Sequence, residues 1–382
     1  MAGKRQRLAR RRKACGFTQE TFAEALRVDR TTVQRWERGE AEPHPHQRLR
    51  IAKTLQVSLD EVAELLSPDT PALPVLHGHR GEGLALTIRE TSRRLVMLDN
   101  ELNGLPIADV AARSFKKVHR RLGEGDYERK RERDIQAAAA ELAEVAGWAL
   151  FNEGRFSASR QFNQEALFLA RLAGDRSAEL ITLQNMGMLA GWAGRPREEL
   201  AIAESVIDQG NLSPRVQAMF LARQAQGLAG VGRGSESNRS FERARSLLQD
   251  SAPGDEPYWA WWVSDQEMDR QQGRVLHESG DWRSAIPVLE RAMQHQEGSR
   301  VGYQNVAAVR LLDSLLRVEA WEAAESEAEK LIPAVPEMSS VVTLRILERV
   351  AGRGRCTAGA PTGLREALDH IQTAIHEDAY ET

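Results

Sequence analysis

The sequence has few cysteines and no long apolar run, and each shortage excludes a class of protein. Only two cysteines, Cys15 and Cys356, occur in 382 residues. They support neither a disulfide framework nor a zinc site, and they fit a reducing cytoplasm. No stretch of about 18 apolar residues is present, so a membrane span is excluded. We therefore expect a cytoplasmic protein without a membrane partner.

The common signatures of catalysis are also missing. The sequence contains no GxSxG elbow, no Walker phosphate loop, no HExxH pair and no cysteine–histidine dyad spacing. Two His-x-His pairs, His44 with His46 and His77 with His79, have no third ligand placed to complete a site. We expect no metal and no other cofactor, and these gaps favour a binding protein over an enzyme.

Charge is unevenly distributed along the chain, whose formal net charge is -3. Residues 1–66 hold 14 Lys or Arg and 9 Asp or Glu, whereas the rest of the chain holds 38 and 46. A basic N-terminal segment followed by an acidic remainder favours a polyanionic partner that binds the N-terminal segment only.

Helical spacing of apolar residues predicts an all-α fold, with five short helices in a first domain, residues 1–66. Thr18 is a suitable N-cap for the second helix. The third helix, Arg30 to Arg38, turns Val33 and Trp36 inward. Its other side is richer in hydrogen-bonding groups than packing requires.

The stretch TQETFAEALRVDRTTVQRWERG, from Thr18 to Gly39, resembles the Xre/Cro-type helix-turn-helix of phage repressors and many bacterial regulators. The matching features are the Thr-Gln opening, the small Ala23, the apolar Val33 and the closing Trp-Glu-x-Gly. In that family the second helix of the motif lies in the major groove of DNA, while its partner crosses the backbone.

This resemblance implies roles for the polar face. Arg30, Thr31 and Arg35 would contact bases, with Arg35 best suited to grip guanine bidentately. The DNA-binding residues predicted in this way, including phosphate contacts and the neighbouring Gln34, are Gln19, Arg30, Thr31, Thr32, Gln34, Arg35, Arg38 and Arg48. It also implies a partly buried ion pair between Arg12 and Glu37, with a structural role. The alternative is that the exposed side chains are merely solvated.

Residues 67–83, SPDTPALPVLHGHRGEG, contain three prolines and three glycines, and we predict that they form a linker. Connecting helices are predicted over 84–125. An apolar stripe at alternating four- and three-residue spacing comprises Leu84, Ile88, Thr91, Leu95, Leu98, Leu102 and Leu105. The stripe fits either a seam between two copies of the chain or packing on later helices of the same chain.

The second connecting helix, Ile107 to Leu122, ends in a basic cluster of Lys116, Lys117, Arg120 and Arg121. The cluster fits either additional contacts to the DNA backbone or a solvated helix face.

Residues 126–382 are predicted to form helical hairpins in a loose repeat. Small residues recur seven apart, at 147 and 154, 187 and 194, 225 and 232, and 273 and 280. The second of each pair, and a position near 319, would form the turn between two helices. The stretch GDWRSAIPVLERA, from Gly280 to Ala292, resembles a tetratricopeptide repeat. The resemblance implies an α-solenoid with a groove that holds peptides or partner segments.

Polar and aromatic residues at groove positions give a predicted site for a peptide or small-molecule effector. Its members are Gln184, Asn185, Arg223, Gln224, Trp259, Trp262, Asp265 and Asn305. Packing between helices is the alternative role for the tryptophans, and Asn185 fits a bond to a neighbouring helix end equally well.

The combined layout resembles actinobacterial one-component regulators and the peptide-pheromone receptors of Gram-positive bacteria. It implies a homodimeric, sequence-specific transcriptional regulator that binds a double-stranded DNA operator. The alternative is a tetratricopeptide-type protein-binding scaffold with only non-specific DNA affinity.

Overall fold

The computed structural model describes residues 6–15, 17–26, 28–37, 43, 45–55, 57, 62, 65–66, 83–101, 107–125, 127–249, 256–257, 259–294, 304–338 and 340–376. The chain divides into two units, Met1–His77 and Gly78–Thr382. The described residues form helices and turns without a β-strand, which confirms the predicted all-α fold. None of the helices they form is long and apolar enough to cross a membrane.

The described helices of the N-terminal unit are α1 (Gln6–Ala14), α2 (Gln19–Leu26), α3 (Arg30–Glu37) and α4 (Pro45–Leu55). Thr18 caps α2, because its Oγ1 accepts a hydrogen bond from the Thr21 amide at 3.1 Å. Most of the predicted fifth helix, and of the linker 67–83, lies outside the described residues.

Helices of eight to eleven residues are not stable alone, so this unit depends on its shared core. Every described helix contributes to that core. Its most deeply buried side chains are Leu8, Phe22, Leu26, Val33, Trp36, Ile51 and Leu55. Trp36 is 1% exposed, which confirms that it fills the core.

The C-terminal unit begins with α5 (Gly83–Glu101) and α6 (Ala108–Glu124), and both helices pack on α7 (Glu132–Asn152). Of the predicted apolar stripe, Leu84, Ile88, Thr91 and Leu95 are buried. The stripe from Leu84 to Leu95 therefore packs within one chain, and Leu98 is half-buried. Leu102 and Leu105 lie outside the described residues.

Consecutive helices then pack as antiparallel pairs. The pairs are α7 with α8 (Phe156–Ala173), α9 (Arg176–Trp192) with α10 (Pro196–Gln209), α11 (Pro214–Gly230) with α12 (Gly234–Gln249), α13 (Asp265–Glu278) with α14 (Trp282–Gln294), α15 (Gln304–Arg317) with α16 (Trp321–Leu331), and α17 (Val341–Arg355) with α18 (Thr362–His376). Each first helix contacts the first helix of the next pair, and α17 also contacts α7. The predicted α-solenoid is confirmed.

The turns between paired helices lie where the repeat predicted them. Gly154, Gly194, Gly232 and Gly280 have φ angles of 72°, 70°, 83° and 83°, and Glu319 has a φ of 60°. These angles fall in the left-handed region, which glycine adopts without steric cost. A side chain at Glu319 is tolerated in the one repeat whose turn lacks glycine.

Among the described glycines, Gly227 makes the closest approach to the backbone of another helix, and it lies two residues after the predicted small residue Ala225. A Cβ atom at Gly227 would lie 2.8 Å from the backbone N and Cα of Leu200 on α10. At Gly187, by contrast, a Cβ atom would lie 3.7 Å from its nearest neighbour, an ordinary contact. Only the first of these glycines is required by close approach of two backbones.

We expect Gly227→Ala to lower the free energy of unfolding by roughly 1–3 kcal/mol, since α10 and α11 must move apart. Gly187→Ala should be neutral or stabilising by up to about 1 kcal/mol, because alanine is the better residue inside a helix. Urea denaturation of both variants measures the difference. Equal effects of the two substitutions would contradict this account of the crossing.

Candidate functional site

Helix α3 is divided into a buried side and an exposed side. Val33 and Trp36 are 0% and 1% exposed and hold the helix in the core of the N-terminal unit. Arg30, Thr31 and Arg35 are exposed, as their predicted role requires. Thr32 and Gln34 are half-buried at the edges of the exposed side.

The end of α3 is fixed by Glu37, which joins three helices. Its carboxylate accepts a hydrogen bond from Arg12 Nε on α1 at 2.7 Å and from Gln19 Nε2 on α2 at 2.6 Å. The Arg12 and Glu37 side chains are only 5% and 9% exposed, so the predicted ion pair is present and buried. Arg12 also donates to the Phe17 carbonyl at 2.7 Å. We call Arg12, Gln19 and Glu37 the Glu37 junction.

The beginning of α3 is held by a weaker contact. Arg30 Nε lies 2.8 Å from Glu20 Oε1 on α2, and both side chains are more than half exposed. An exposed ion pair contributes little to stability, so Arg30 can exchange Glu20 for another anion at small cost. The exposed side of α3 thus has a fixed end at Glu37 and an adjustable one at Arg30.

The structure places the remaining predicted DNA-binding residues in three ways. Gln19 lies in the Glu37 junction, with its amide group donating to Glu37. Arg38 lies outside the described residues, and the Arg48 side chain is likewise not among the described parts of α4. Sequence reasoning missed the contact between Gln19 and Glu37, although both were singled out for other roles.

In the C-terminal unit, polar side chains connect the first helices of successive pairs. Asn185 on α9 donates to Glu144 Oε1 on α7 at 2.6 Å. Arg223 Nε on α11 donates to Gln184 Oε1 on α9 at 2.7 Å, and its Nη1 donates to Gln226 at the same distance. Buried polar groups must be hydrogen-bonded to avoid a large desolvation cost, and these are.

The connections continue through the later pairs. Gln226 Nε2 on α11 donates to Gln271 Oε1 on α13 at 3.0 Å. His277 Nε2 on α13 lies 2.7 Å from Asp313 Oδ2 on α15, and Asp313 also pairs with Arg353 on α17. We call this set the polar ladder. Its members are Glu144, Gln184, Asn185, Arg223, Gln226, Gln271, His277, Asp313 and Arg353.

A cluster of arginines adjoins the polar ladder around Trp192. The guanidinium carbons of Arg274 and Arg310 lie 4.7 Å and 5.0 Å from the centre of the Trp192 ring. Both arginines pair with Glu278, at 2.8 Å and 3.3 Å. Burial would raise the pKa of the Glu278 carboxyl, but the two arginines lower it below its ordinary value.

The predicted effector residues are not brought together in one open site. Gln184, Asn185 and Arg223 are 3%, 4% and 4% exposed, and their polar groups bond to other members of the polar ladder. Gln224 accepts a hydrogen bond from Ser240 at 2.8 Å. Trp259 packs in the core and donates to Ser177 at 2.9 Å.

The other predicted effector residues lie at the starts of helices or against the core. Trp262 is partly buried against the same core as Trp259. Asp265 is exposed in the first turn of α13, and Asn305 is half-buried in the first turn of α15. For both tryptophans, the packing role is therefore the one observed.

Sequence reasoning missed six ladder residues, which are Glu144, Gln226, Gln271, His277, Asp313 and Arg353. The signal was present, since polar residues at 144, 185, 226 and 271 recur at intervals close to the hairpin repeat. Burial raises the pKa of the Glu144 carboxyl to about 7, and Glu141 adds to the shift, whereas the hydrogen bond from Asn185 opposes it. The pKa of Glu141 is itself raised by burial. The Glu144 carboxyl, at the N-terminal end of the polar ladder, is therefore partly protonated near neutral pH.

Comparison with known proteins identifies a family for part of the N-terminal unit. Residues 8–62 match the family model described as helix-turn-helix. No curated protein sequence matches the chain. Among solved structures, Bacillus thuringiensis PlcR in complex with the peptide PapR7 and DNA aligns with 83% of this chain and 96% of that chain, at 14% identity and a TM-score of 0.37.

The family match to residues 8–62 confirms the predicted Xre-type helix-turn-helix in the N-terminal unit. Together with the exposed side of α3, it supports a DNA-binding transcriptional regulator.

We expect Glu37→Gln to destabilise the N-terminal unit by about 2–4 kcal/mol, because Arg12 would remain buried without its counter-charge. Glu20→Gln is the matched control, since it removes an exposed, solvent-screened partner and should cost much less than Glu37→Gln. Hydrogen exchange of peptides covering 6–37 reports on this unit alone. Similar protection in both variants would contradict the structural role of the junction.

We expect the stability of the C-terminal unit to fall as pH rises from about 5 to about 7. The folded chain retains the Glu144 proton above the ordinary carboxyl pKa of 4.5 and loses it near 7. The loss amounts to about 3 kcal/mol at most. Glu144→Gln keeps an acceptor for Asn185 without titrating, so urea denaturation across this range should show a flatter profile. An unchanged pH profile would contradict the assignment.

Proposed function

We propose that this chain, whose residues 8–62 form a helix-turn-helix domain, is a sequence-specific DNA-binding transcriptional regulator of the cytoplasm. The observation that carries the proposal is the division of α3. Its apolar side is buried by Val33 and Trp36, and its exposed side presents Arg30, Thr31 and Arg35. Residues of these types read base edges in the major groove.

The remaining predicted DNA contacts fit positioning roles. Gln19 and Thr32, with Arg38 and Arg48, would approach phosphates on either side of α3 and fix its register on the duplex. Gln19 would do so while its amide group also donates to Glu37, since an amide nitrogen carries two protons. The Glu37 junction would therefore link the contacted backbone to the helix that reads the bases.

We also propose that the regulator acts as a homodimer. A single short helix reads only a few base pairs, and two copies would read two half-sites about one helical turn apart. The buried stripe of α5 is used within the chain, so a second copy would have to use another surface. Leu86 and Met97 are 66% and 46% exposed, and their separation of eleven residues puts them on one side of α5. Exposed apolar side chains of this kind favour association.

The helical-repeat unit would serve dimerisation, recognition of a peptide or small-molecule effector, or both. An effector changes DNA binding only if it binds one arrangement of the protein better than another. Asp265 and Asn305 retain exposed or half-exposed polar groups for such a ligand. Gln184, Asn185 and Arg223 would first have to give up their bonds within the polar ladder.

To test the proposal, the full chain is used to select the DNA sequences that it binds from a library of random duplexes. We expect a preferred sequence with two half-sites, and we expect Arg35→Ala to weaken binding to it by about five- to 150-fold. Affinity for unrelated DNA should change little, because phosphate contacts supply it.

Lys13→Ala is the matched control for this experiment. Lys13 is an exposed cation of α1 in the same unit, and its loss should weaken binding to preferred and unrelated duplexes alike. Uniform, salt-sensitive binding without a preferred sequence would reject the proposal and favour the protein-binding scaffold.

A further inference from the structure

Helix α6 presents four cations on one exposed side. Arg113, Lys116, Lys117 and Arg120 are all exposed, and their spacing of three and four residues places them on one side of the helix. They cover about 10 Å along its axis. We call these four residues the basic face.

The helix that carries the basic face is well packed on its opposite side. The opposite side of α6 buries Ala111, Phe115 and Val118, which are 0%, 4% and 1% exposed. The Phe115 ring meets the Phe162 ring of α8 with centroids 5.5 Å apart. The four cations are therefore held in a fixed arrangement relative to the C-terminal unit.

These cations have no counter-charge within the described part of the chain at ion-pair distance. Asp109 lies one turn before Arg113. Its carboxylate pairs with Arg155 at 2.7 Å, and it attracts Arg113 and Lys116 only at longer range. Like charges three and four residues apart destabilise a helix by a few tenths of a kcal/mol for each pair. The basic face therefore carries an electrostatic cost that a bound polyanion would remove.

Several other exposed arginines of the same unit do have an acidic partner, whereas Arg239 and Arg243 on α12 show none at ion-pair distance among the described residues. Arg171 pairs with Glu179 at 2.8 Å, Arg233 pairs with Glu236, and Arg355 pairs with Asp369. The charge around the basic face is also exceptional for an acidic unit. Residues 113–133 hold nine Lys or Arg against four Asp or Glu.

Duplex DNA is the polyanion that the rest of the chain would bring near. Residues 67–82 separate Leu66 from Gly83, and sixteen residues span at most about 55 Å. When the N-terminal unit holds DNA, this tether keeps the basic face at a high effective concentration of the same duplex. A backbone with one charge per about 1.7 Å of helix axis offers phosphates wherever the face approaches it.

We infer that the basic face of α6 binds the sugar–phosphate backbone of DNA that flanks the sequence read by α3. This inference rests on the proposed function, since the N-terminal unit must bring the duplex within reach. It assigns the C-terminal unit a direct part in DNA affinity. It adds no base preference, because phosphate contacts carry no sequence information.

The test compares two doubly substituted full-length chains. Lys116→Gln/Arg120→Gln removes two charges four residues apart from the basic face. Arg239→Gln/Arg243→Gln is the control, and it removes two exposed charges at the same spacing from α12. Affinities are measured across a salt series on two duplexes that carry the selected sequence, one without flanks and one with about 15 base pairs on each side.

We expect the Lys116/Arg120 variant to lose about three- to tenfold affinity for the flanked duplex at 0.1 M salt. The slope of log affinity against log salt should shrink by about 1 to 2, because each phosphate contact contributes about 0.9. Binding to the short duplex, sequence preference and the control variant should stay within about twofold of the unmodified chain.

Several results would overturn the inference. Unchanged affinity and slope on the flanked duplex would do so while leaving the proposed function intact, provided that Arg35→Ala still weakens binding to the preferred sequence. Equal losses in the control variant would show a general effect of net charge. Unchanged DNA binding with lost binding to phosphatidylserine–phosphatidylcholine vesicles would assign the face to a membrane instead. Absence of any preferred sequence would overturn the proposed function and this inference together.

Discussion

The position of the exposed side of α3 depends on one buried ion pair, Arg12 with Glu37. An eight-residue helix has too few internal hydrogen bonds to hold its own orientation, so its neighbours must hold it. Val33 and Trp36 fix which side faces the core, but apolar contacts allow a helix to slide. The Glu37 junction removes that freedom, because a buried carboxylate that leaves Arg12 and Gln19 would lose its compensation for desolvation. The orientation of Arg35 that base reading requires depends on that constraint.

The C-terminal unit uses buried polar contacts for a different purpose. Small residues and apolar side chains bring its helices together, and the polar ladder then joins each first helix to the next. Such hydrogen bonds add little net stability. They disfavour any other alignment of neighbouring helices, because a displaced partner leaves a buried polar group without a hydrogen bond. The ladder therefore favours one curvature of the solenoid. An effector that displaced one ladder residue would have to replace the hydrogen bonds of that residue. Binding of such a ligand could thereby change the relative positions of neighbouring helices.

Sequence patterns predicted the fold well because its determinants are local. The turn positions 154, 194, 232 and 280 follow from glycines at hairpin intervals, and 319 follows from the interval alone. All five have positive φ. The Arg12–Glu37 pair followed from a family resemblance. The predicted effector residues were less informative, since polarity alone does not separate a groove residue from one that bonds to a neighbouring helix. Gln184 and Arg223 lie 39 residues apart and meet only in the folded chain, so their mutual bond could not be read from either residue.

Buried polar side chains thus have different roles in the two units. In the N-terminal unit, a buried pair leaves other polar groups of α3 free to face solvent, and in the solenoid the polar groups mostly satisfy one another. We propose above all that the exposed side of α3 reads DNA sequence. Mapping the DNA bound by the full chain in cells tests it most directly. We expect discrete occupied sites that share a short, repeated sequence. Diffuse occupancy without a shared sequence would contradict it.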